Sequence, residues 1–259
     1  MTAAEALQLS QKLIALALVQ QTIEYIQLRK SLRTIWQWDV IRDDYRSAPW
    51  PLRKTLDLTL DYPNVLWLLV VQLLLAIALL ILPERSVAVA PALAGALLTS
   101  FLLNLRFRGT FNGGSDQMTF VVLLSLALAA SLPLSKSVVV GYMCFHVCLS
   151  FVVAGVSKLR QPSWRTGAAV GQFMQVSHYA IPPRVTALSK IHAVARATAW
   201  MVIVSELCFP IAISNSVVAI LCIGAATGFH ILNFYIFGLN RFASAWIAAY
   251  PSVYYISSL

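Results

Sequence analysis

The chain has 259 residues, 59% of them hydrophobic and only 11% charged, where a soluble domain carries roughly 25% charged residues. That composition excludes a soluble domain with a single anchor and places most of the chain in a lipid bilayer. The net charge of +9 would point to nucleic acid in a soluble chain, but in a membrane protein an excess of Lys and Arg in the loops of one face accounts for it first.

The opening MTAAEALQLSQKLIALALVQQ carries Glu5 ahead of any basic residue and no small-residue cleavage site after a short apolar core, so no removable signal peptide is expected. Residues 7 to 29 are apolar enough to enter the membrane but hold Lys12, Gln20, Gln21 and Glu24, which suits a crossing at a bundle interface. Residues 30 to 62 are polar and rich in tryptophan, with Trp36, Trp38 and Trp50 beside Pro49 and Pro51, the composition of an interfacial segment.

Clear spans follow at about 64–82, ended by Pro83 and Glu84, at 87–105, ended by Arg106 and Arg108, at 117–134 and at 138–157. Residues 166–194 are too polar to cross and are interrupted by Pro182 and Pro183. Spans at 195–214, 216–236 and 242–258 complete seven crossings, with the N-terminal segment as an eighth. The expected fold is therefore all-α: a polytopic membrane bundle of seven to eight transmembrane helices with interfacial or re-entrant segments. Residues 1–62 form its N-terminal helix and interfacial segment and residues 63–259 its transmembrane bundle, together one structural domain.

Alternating the loops between two faces gathers every basic residue on one face except Lys12, Arg85 and Lys136. The positive-inside rule makes that face cytoplasmic, in a multi-pass protein of the cell membrane. Topology then explains the whole excess charge, and no nucleic-acid partner is expected. Cys144, Cys148, Cys208 and Cys222 lie in apolar stretches, none in a C-x-x-C, so buried reduced thiols are expected rather than a disulfide framework.

Ionisable groups inside a span cost roughly 2.5–3.5 kcal/mol each on insertion scales, which makes each a functional candidate. Glu206 lies within TAWMVIVSELCFPIAI, His146 within GYMCFHVCLSF, and His230 with Asn233 within AATGFHILNFYIFG; Asp116 opens a span after RGTFNGGS. His230 and Asn233, three apart, occupy neighbouring positions of one helical face. Structural roles exist for each: Lys158 as a snorkelling anchor, Asp116 as a helix cap, Glu206 as a helix contact satisfied by a serine or an arginine, Trp164 as an interfacial ring, His146 as a packing residue. What favours function is that Lys158, Asp116, His230 and Asn233, from three spans, fall at one depth on the basic side.

The four histidines, His146, His178, His192 and His230, form no H-x-x-x-H pair, which removes the membrane di-iron class, and no metal is expected. A haem between His146 and His230 is left open by their spacing, without being favoured over packing.

The run AGVSKL at 154–159 followed by SWRTG at 163–167 resembles a segment of the vitamin K-dependent gamma-carboxylases and of their bacterial relatives, the HTTM (horizontally transferred transmembrane) family. HILNFYIFGLNRF at 230–242 resembles the same family's H-x-x-N segment, and RGTFNGGSD at 108–116 its polar mouth; the similarity covers about residues 105–250. The resemblance implies that Lys158 is a general base acting on a menaquinone-like quinol, with His230, Asn233 and Asp116 as further catalytic groups. By the same resemblance Trp164, Arg165 and Glu206 would bind the cofactor. Burial at an apolar rim beside Arg160 and Arg165 would favour the uncharged amine that such a base needs.

The sequence holds no counterpart of the carboxylases' large C-terminal portion, so glutamate carboxylation is not expected; a separate protein partner or peptide substrate is. The carboxylase site opens toward the lumen, whereas the charge pattern sets Lys158 at the cytoplasmic level, and the side to which the pocket opens stays undecided. The alternative function is a non-catalytic scaffold docking a partner through the basic face, with Arg42, Arg46 and Arg53 as its contacts. A transporter is disfavoured by the lack of paired Gly/Pro-broken spans in two similar halves.

Overall fold

The computed structural model describes residues 1–34, 37–83, 86–107, 114–175 and 181–259. Trp36, Glu84, Arg85, Arg108, His178 and most of the RGTFNGGSD stretch lie outside the described residues. The described chain is helical throughout, with no strand among the described residues. In chain order the helices are α1 (Ala3–Gln27), α2 (Trp38–Ile41), α3 (Trp50–Leu60), α4 (Asn64–Ile81), α5 (Val89–Phe107), α6 (Gly114–Ser131) and α7 (Lys136–Arg160). There follow α8 (Pro162–Thr166), α9 (Ala168–Phe173), α10 (Pro183–Ser189), α11 (His192–Cys208), α12 (Ser216–Phe237) and α13 (Asn240–Ser257).

Local chemistry sets many of these boundaries. Thr2 and Glu5 form a reciprocal capping box at the start of α1, with the Thr2 N–H donating to Glu5 at 2.8 Å. Asn215 accepts the Val218 N–H to open α12, and Gly238, at φ +67°, closes it in a left-handed turn that returns the chain into α13. The far end of α4 is capped by another helix: Lys12 Nζ donates to the carbonyls of Leu79, Leu80 and Leu82 at 3.0, 2.8 and 2.8 Å, and Gln11 Nε2 donates to Leu79 at 3.0 Å. An ammonium at a helix C-terminus meets both the orphan carbonyls and the negative end of the helix dipole. Two polar residues that look out of place in the apolar α1, Gln11 and Lys12, are accounted for by the end of α4.

Among the described residues, six helical stretches are long and apolar enough to cross a membrane: α4, α5, α6, α7, the run His192–Ile213 that includes α11, and α12. They coincide with the first six expected spans. The seventh expected span, now α13, and the N-terminal segment, now α1, fall outside that set. The physical reason is position. α1 and α13 pack on each other, α1 also on α4, and α13 on α6, α7 and α12, so much of their surface meets protein rather than lipid. Helices sheltered in this way tolerate Gln, Tyr and Arg that a lipid-facing helix does not. The least sheltered of the six is α12, where Val217, Leu221 and Tyr235 are exposed.

Among the described residues two apolar cores carry the bundle, and a third, minor cluster joins Val170 of α9 to Ala195 and Ala199 of α11. The larger joins α1, α4, α5, α6, α7, α12 and α13 around Ile14, Leu18, Leu123, Met143 and Val253. The smaller seats the interfacial segment on one end of α4 and α5 through Trp38, Ile41, Leu56, Leu60 and Phe107. All four cysteines are free, but only Cys144 is buried and Cys208 is exposed, which corrects the expectation of four buried thiols. Cys208 ends an apolar helix and needs no burial to be shielded by lipid.

Candidate functional site

Lys158 stands near the C-terminus of α7, whose antiparallel neighbour is α11. Their register is fixed by two contacts: Phe151 stacks on Phe209 with ring centroids 3.9 Å apart, and Gly155 leaves room for Leu207. About 10 Å along α7 from Phe151, at 1.5 Å per residue, the Lys158 ammonium turns toward α11 and donates to both carboxylate oxygens of Glu206, at 2.7 and 2.8 Å. The Glu206 side chain is 8% exposed and that of Lys158 21%. The amine also lies 5.3 Å from the ring centre of Trp164. It is therefore turned inward and held by an anion and a ring face, with one edge open.

The neighbours differ from those the sequence suggested. Arg160 and Arg165 are exposed, and the charge beside the amine is the Glu206 carboxylate. Glu206 meets neither serine nor arginine but Lys158. Helices α8 and α9 bring Trp164 into place by folding back along the first half of α11. Gly167 between them has φ +86°, and a Cβ there would fall 2.5 Å from the Arg196 backbone N. The Arg165 carbonyl accepts the Trp200 Nε1–H at 3.1 Å. From Trp164 an aromatic row continues to Phe173 and on to Phe237, with centroids 6.0 and 6.4 Å apart.

Asp116 belongs to a second group. It lies in the first turn of α6, where a carboxylate is favoured, and accepts from Gln21 Nε2 at 3.2 Å and Arg241 Nη1 at 3.4 Å. Arg241 also donates to the Tyr25 hydroxyl at 2.8 Å and lies 3.5 Å from Glu24, which is itself hydrogen-bonded by Gln20 and Asn240. Gln72 extends the network to α4 through Gln21 at 3.2 Å. Sequence reasoning missed this group, having placed Arg241 among the loop cations.

His230 forms a third. It is 2% exposed and sits among the rings of Phe242, Trp246, Phe151 and Tyr250, with centroids 5.0 to 6.5 Å away. Neither of its ring nitrogens has a hydrogen-bond partner among the described residues, nor do Trp246 Nε1 and the Tyr250 hydroxyl. Asn233, one turn on, is half-buried, and its backbone carbonyl takes part in the Gly238 turn. His146 packs at the edge of Tyr142 and Phe145.

The structure thus brings Lys158, Glu206 and Trp164 together and distributes Asp116 and His230 to separate groups. No hydrogen bond or ion pair among the described residues joins the three. On the interfacial segment, Arg42 pairs with Asp57 at 2.8 Å and with Asp39 at 3.4 Å, while Arg46 pairs with Asp43 at 2.8 Å. Among the described residues, no group of three or more His, Cys, Asp or Glu side chains is arranged to hold a metal ion. No family model matches the chain, and no curated protein or solved structure matches it either.

Proposed function

We propose that the chain is a membrane-embedded enzyme, or the catalytic membrane subunit of one, in which the Lys158–Glu206 pair moves a proton on a weakly acidic, lipid-borne hydroxyl such as that of a menaquinone-like quinol. The observation that carries this reading is the pair itself, an amine turned onto a carboxylate of α11 at 2.7 Å with one edge left open. A snorkelling anchor would point the other way.

Glu206 lies within hydrogen-bond distance to take a proton from the ammonium, and the freed amine can then accept one from the substrate hydroxyl; the pair ends with one more proton and the substrate with one fewer. Trp164, Phe173 and Phe237 offer ring faces suited to a planar quinol head. The residues present fit such a molecule, which would supply the acidic hydroxyl and the redox chemistry. The resemblance of 154–167 and 230–242 to the HTTM family supports the same reading, with a peptide or protein as the molecule finally modified and a separate protein as partner.

We take α1 and α13 as the seventh and eighth crossings, packed on each other and on α4, α6, α7 and α12, and the basic end as cytoplasmic. The scaffold alternative is less favoured, since Arg42 and Arg46 are already neutralised by neighbouring aspartates. The test is Lys158→Ala and Glu206→Gln at equal abundance in native membranes, together with the lipid-soluble molecule that copurifies. Loss of a general base lowers turnover about 10²–10⁴-fold; undiminished product formation by Lys158→Ala would remove the catalytic reading.

A further inference from the structure

Beyond the Lys158–Glu206 pair the chain builds a small cap. Helix α11 starts at His192, about 21 Å of helix before Glu206, whereas α7 stops at Arg160, about 3 Å past Lys158. The first half of α11 therefore reaches past the end of α7, and α8, α9 and α10 pack on α11. Val170 of α9 meets Ala195 and Ala199 there, with Trp164 of α8 against them.

The surface of this cap carries one sign of charge. Between Asp116 and Glu206 the chain holds no acidic residue. Arg160, Arg165, Arg184, Lys190 and Arg196 are all exposed, and among the described residues none of these side chains is engaged in a hydrogen bond or ion pair. The positive-inside rule accounts for the cations but not for the missing acids, because Asp and Glu weigh little in it. The interfacial segment, assigned to the same face, makes the contrast: it carries Asp39, Asp43, Asp44, Asp57 and Asp61, and its Arg42 and Arg46 are paired. The lack of acids is thus a property of the cap and not of its side of the membrane.

Two other chemistries are mixed with the cations. Gln161, Gln172 and Gln175 are exposed; an amide both donates and accepts, which matches a peptide backbone, whereas a lipid phosphate only accepts. Leu188 and Ile191 are exposed as well, apolar points among polar ones as in a protein interface. We propose that this cap docks an acidic segment of a protein or peptide partner, its carboxylates on the arginines and its apolar side chains on Leu188 and Ile191, beside the open edge of the Lys158–Glu206 pair. The need for such a partner rests on the function proposed above, while docking itself does not require the proton transfer.

The experiment uses the full-length protein in phosphatidylcholine nanodiscs and a fluorescent synthetic peptide of glutamates and leucines, read by anisotropy, with a glutamate-only peptide of equal charge and a lysine–leucine peptide beside it. The glutamate–leucine peptide binds, the glutamate-only peptide binds less tightly, and the lysine–leucine peptide does not bind. Arg165→Glu combined with Arg196→Glu lowers the affinity about tenfold with an unchanged thermal unfolding profile, while Arg53→Glu on the interfacial segment leaves it as it was. Arg165→Gln with Arg196→Gln reads the same loss in smaller degree should the reversal fail to fold. Leu188→Ser with Ile191→Ser removes the advantage of the leucine-containing peptide. No binding by wild type, undiminished binding by the folded reversal variant, or an equal loss from Arg53→Glu would overturn the proposal. So would a wild type that ignores the peptide yet retains phosphatidylglycerol in mixed nanodiscs until the reversal is made, which assigns the cap to the membrane surface. Binding is read here rather than product formation, so its failure is distinct from a failure of the catalytic reading, which Lys158→Ala tests.

Discussion

Gly155 faces Leu207 so closely that a Cβ at position 155 would lie 2.9 Å from both Leu207 Cγ and Cδ2 and 3.1 Å from its backbone N. This contact lets α7 and α11 approach and brings Lys158 level with Glu206. Gly155→Val is expected to push the helices apart, at a cost of about 1–3 kcal/mol for overpacking, and to lower activity along with the melting temperature. A variant of wild-type stability would mean that the register does not depend on Gly155.

The Lys158–Glu206 pair separates stability from function. Removing one partner of a buried pair costs about 3–5 kcal/mol, whereas replacing both by apolar residues is often neutral. Lys158→Met and Glu206→Leu should therefore each destabilise the bundle by thermal unfolding in detergent. The double variant should recover most of the loss and remain inactive. Recovery of activity with stability would reduce the pair to a helix clamp.

Arg241 holds α13 to α1 and α6 by serving Tyr25, Asp116 and Glu24 at once. Arg241→Leu leaves two carboxylates without their cation and should cost about 3–5 kcal/mol. Arg241→Lys should rescue little, because a single ammonium lacks the fork that reaches three partners. Full rescue by lysine, seen as a restored melting temperature, would show that charge alone suffices.

Tyr250 lies buried with no hydrogen-bond partner for its hydroxyl among the described residues. A buried unsatisfied hydroxyl costs about 1–3 kcal/mol, so Tyr250→Phe should raise the melting temperature. A fall would reveal an ordered water or ligand bonded to that oxygen.

The spans were legible because lipid writes them directly into hydropathy: Pro63 and Pro83 bracket α4, and Asn215 and Gly238 bracket α12, as residues with those roles should. Less of the site was legible. Glu206 could have been matched to Lys158 by asking which cation lies at the end of the neighbouring span. Its position in the middle of the expected 195–214 span hid the match; in the structure it lies in the last turn of α11, and α8 and α9 fold back alongside the first half of that helix. Arg241 read as a loop cation because nothing local distinguishes an arginine outside a helix from one turned under it. The partners of Asp116 come from α1 and α13, and no spacing within either segment announces that meeting.

The bond between Tyr25 and Arg241 spans 216 residues. At a synthesis rate of about 5–20 residues per second, the polar side of α1 waits roughly 10–40 seconds for its guanidinium. Until then Tyr25, Glu24 and Asp116 lack the guanidinium that joins them, and the nascent bundle is unfinished at its centre rather than at its edge. Any chaperone or insertase that attends this protein must shelter that helix through the whole interval, and a ribosome stalled before codon 240 leaves behind a product with an acidic seam open to the membrane.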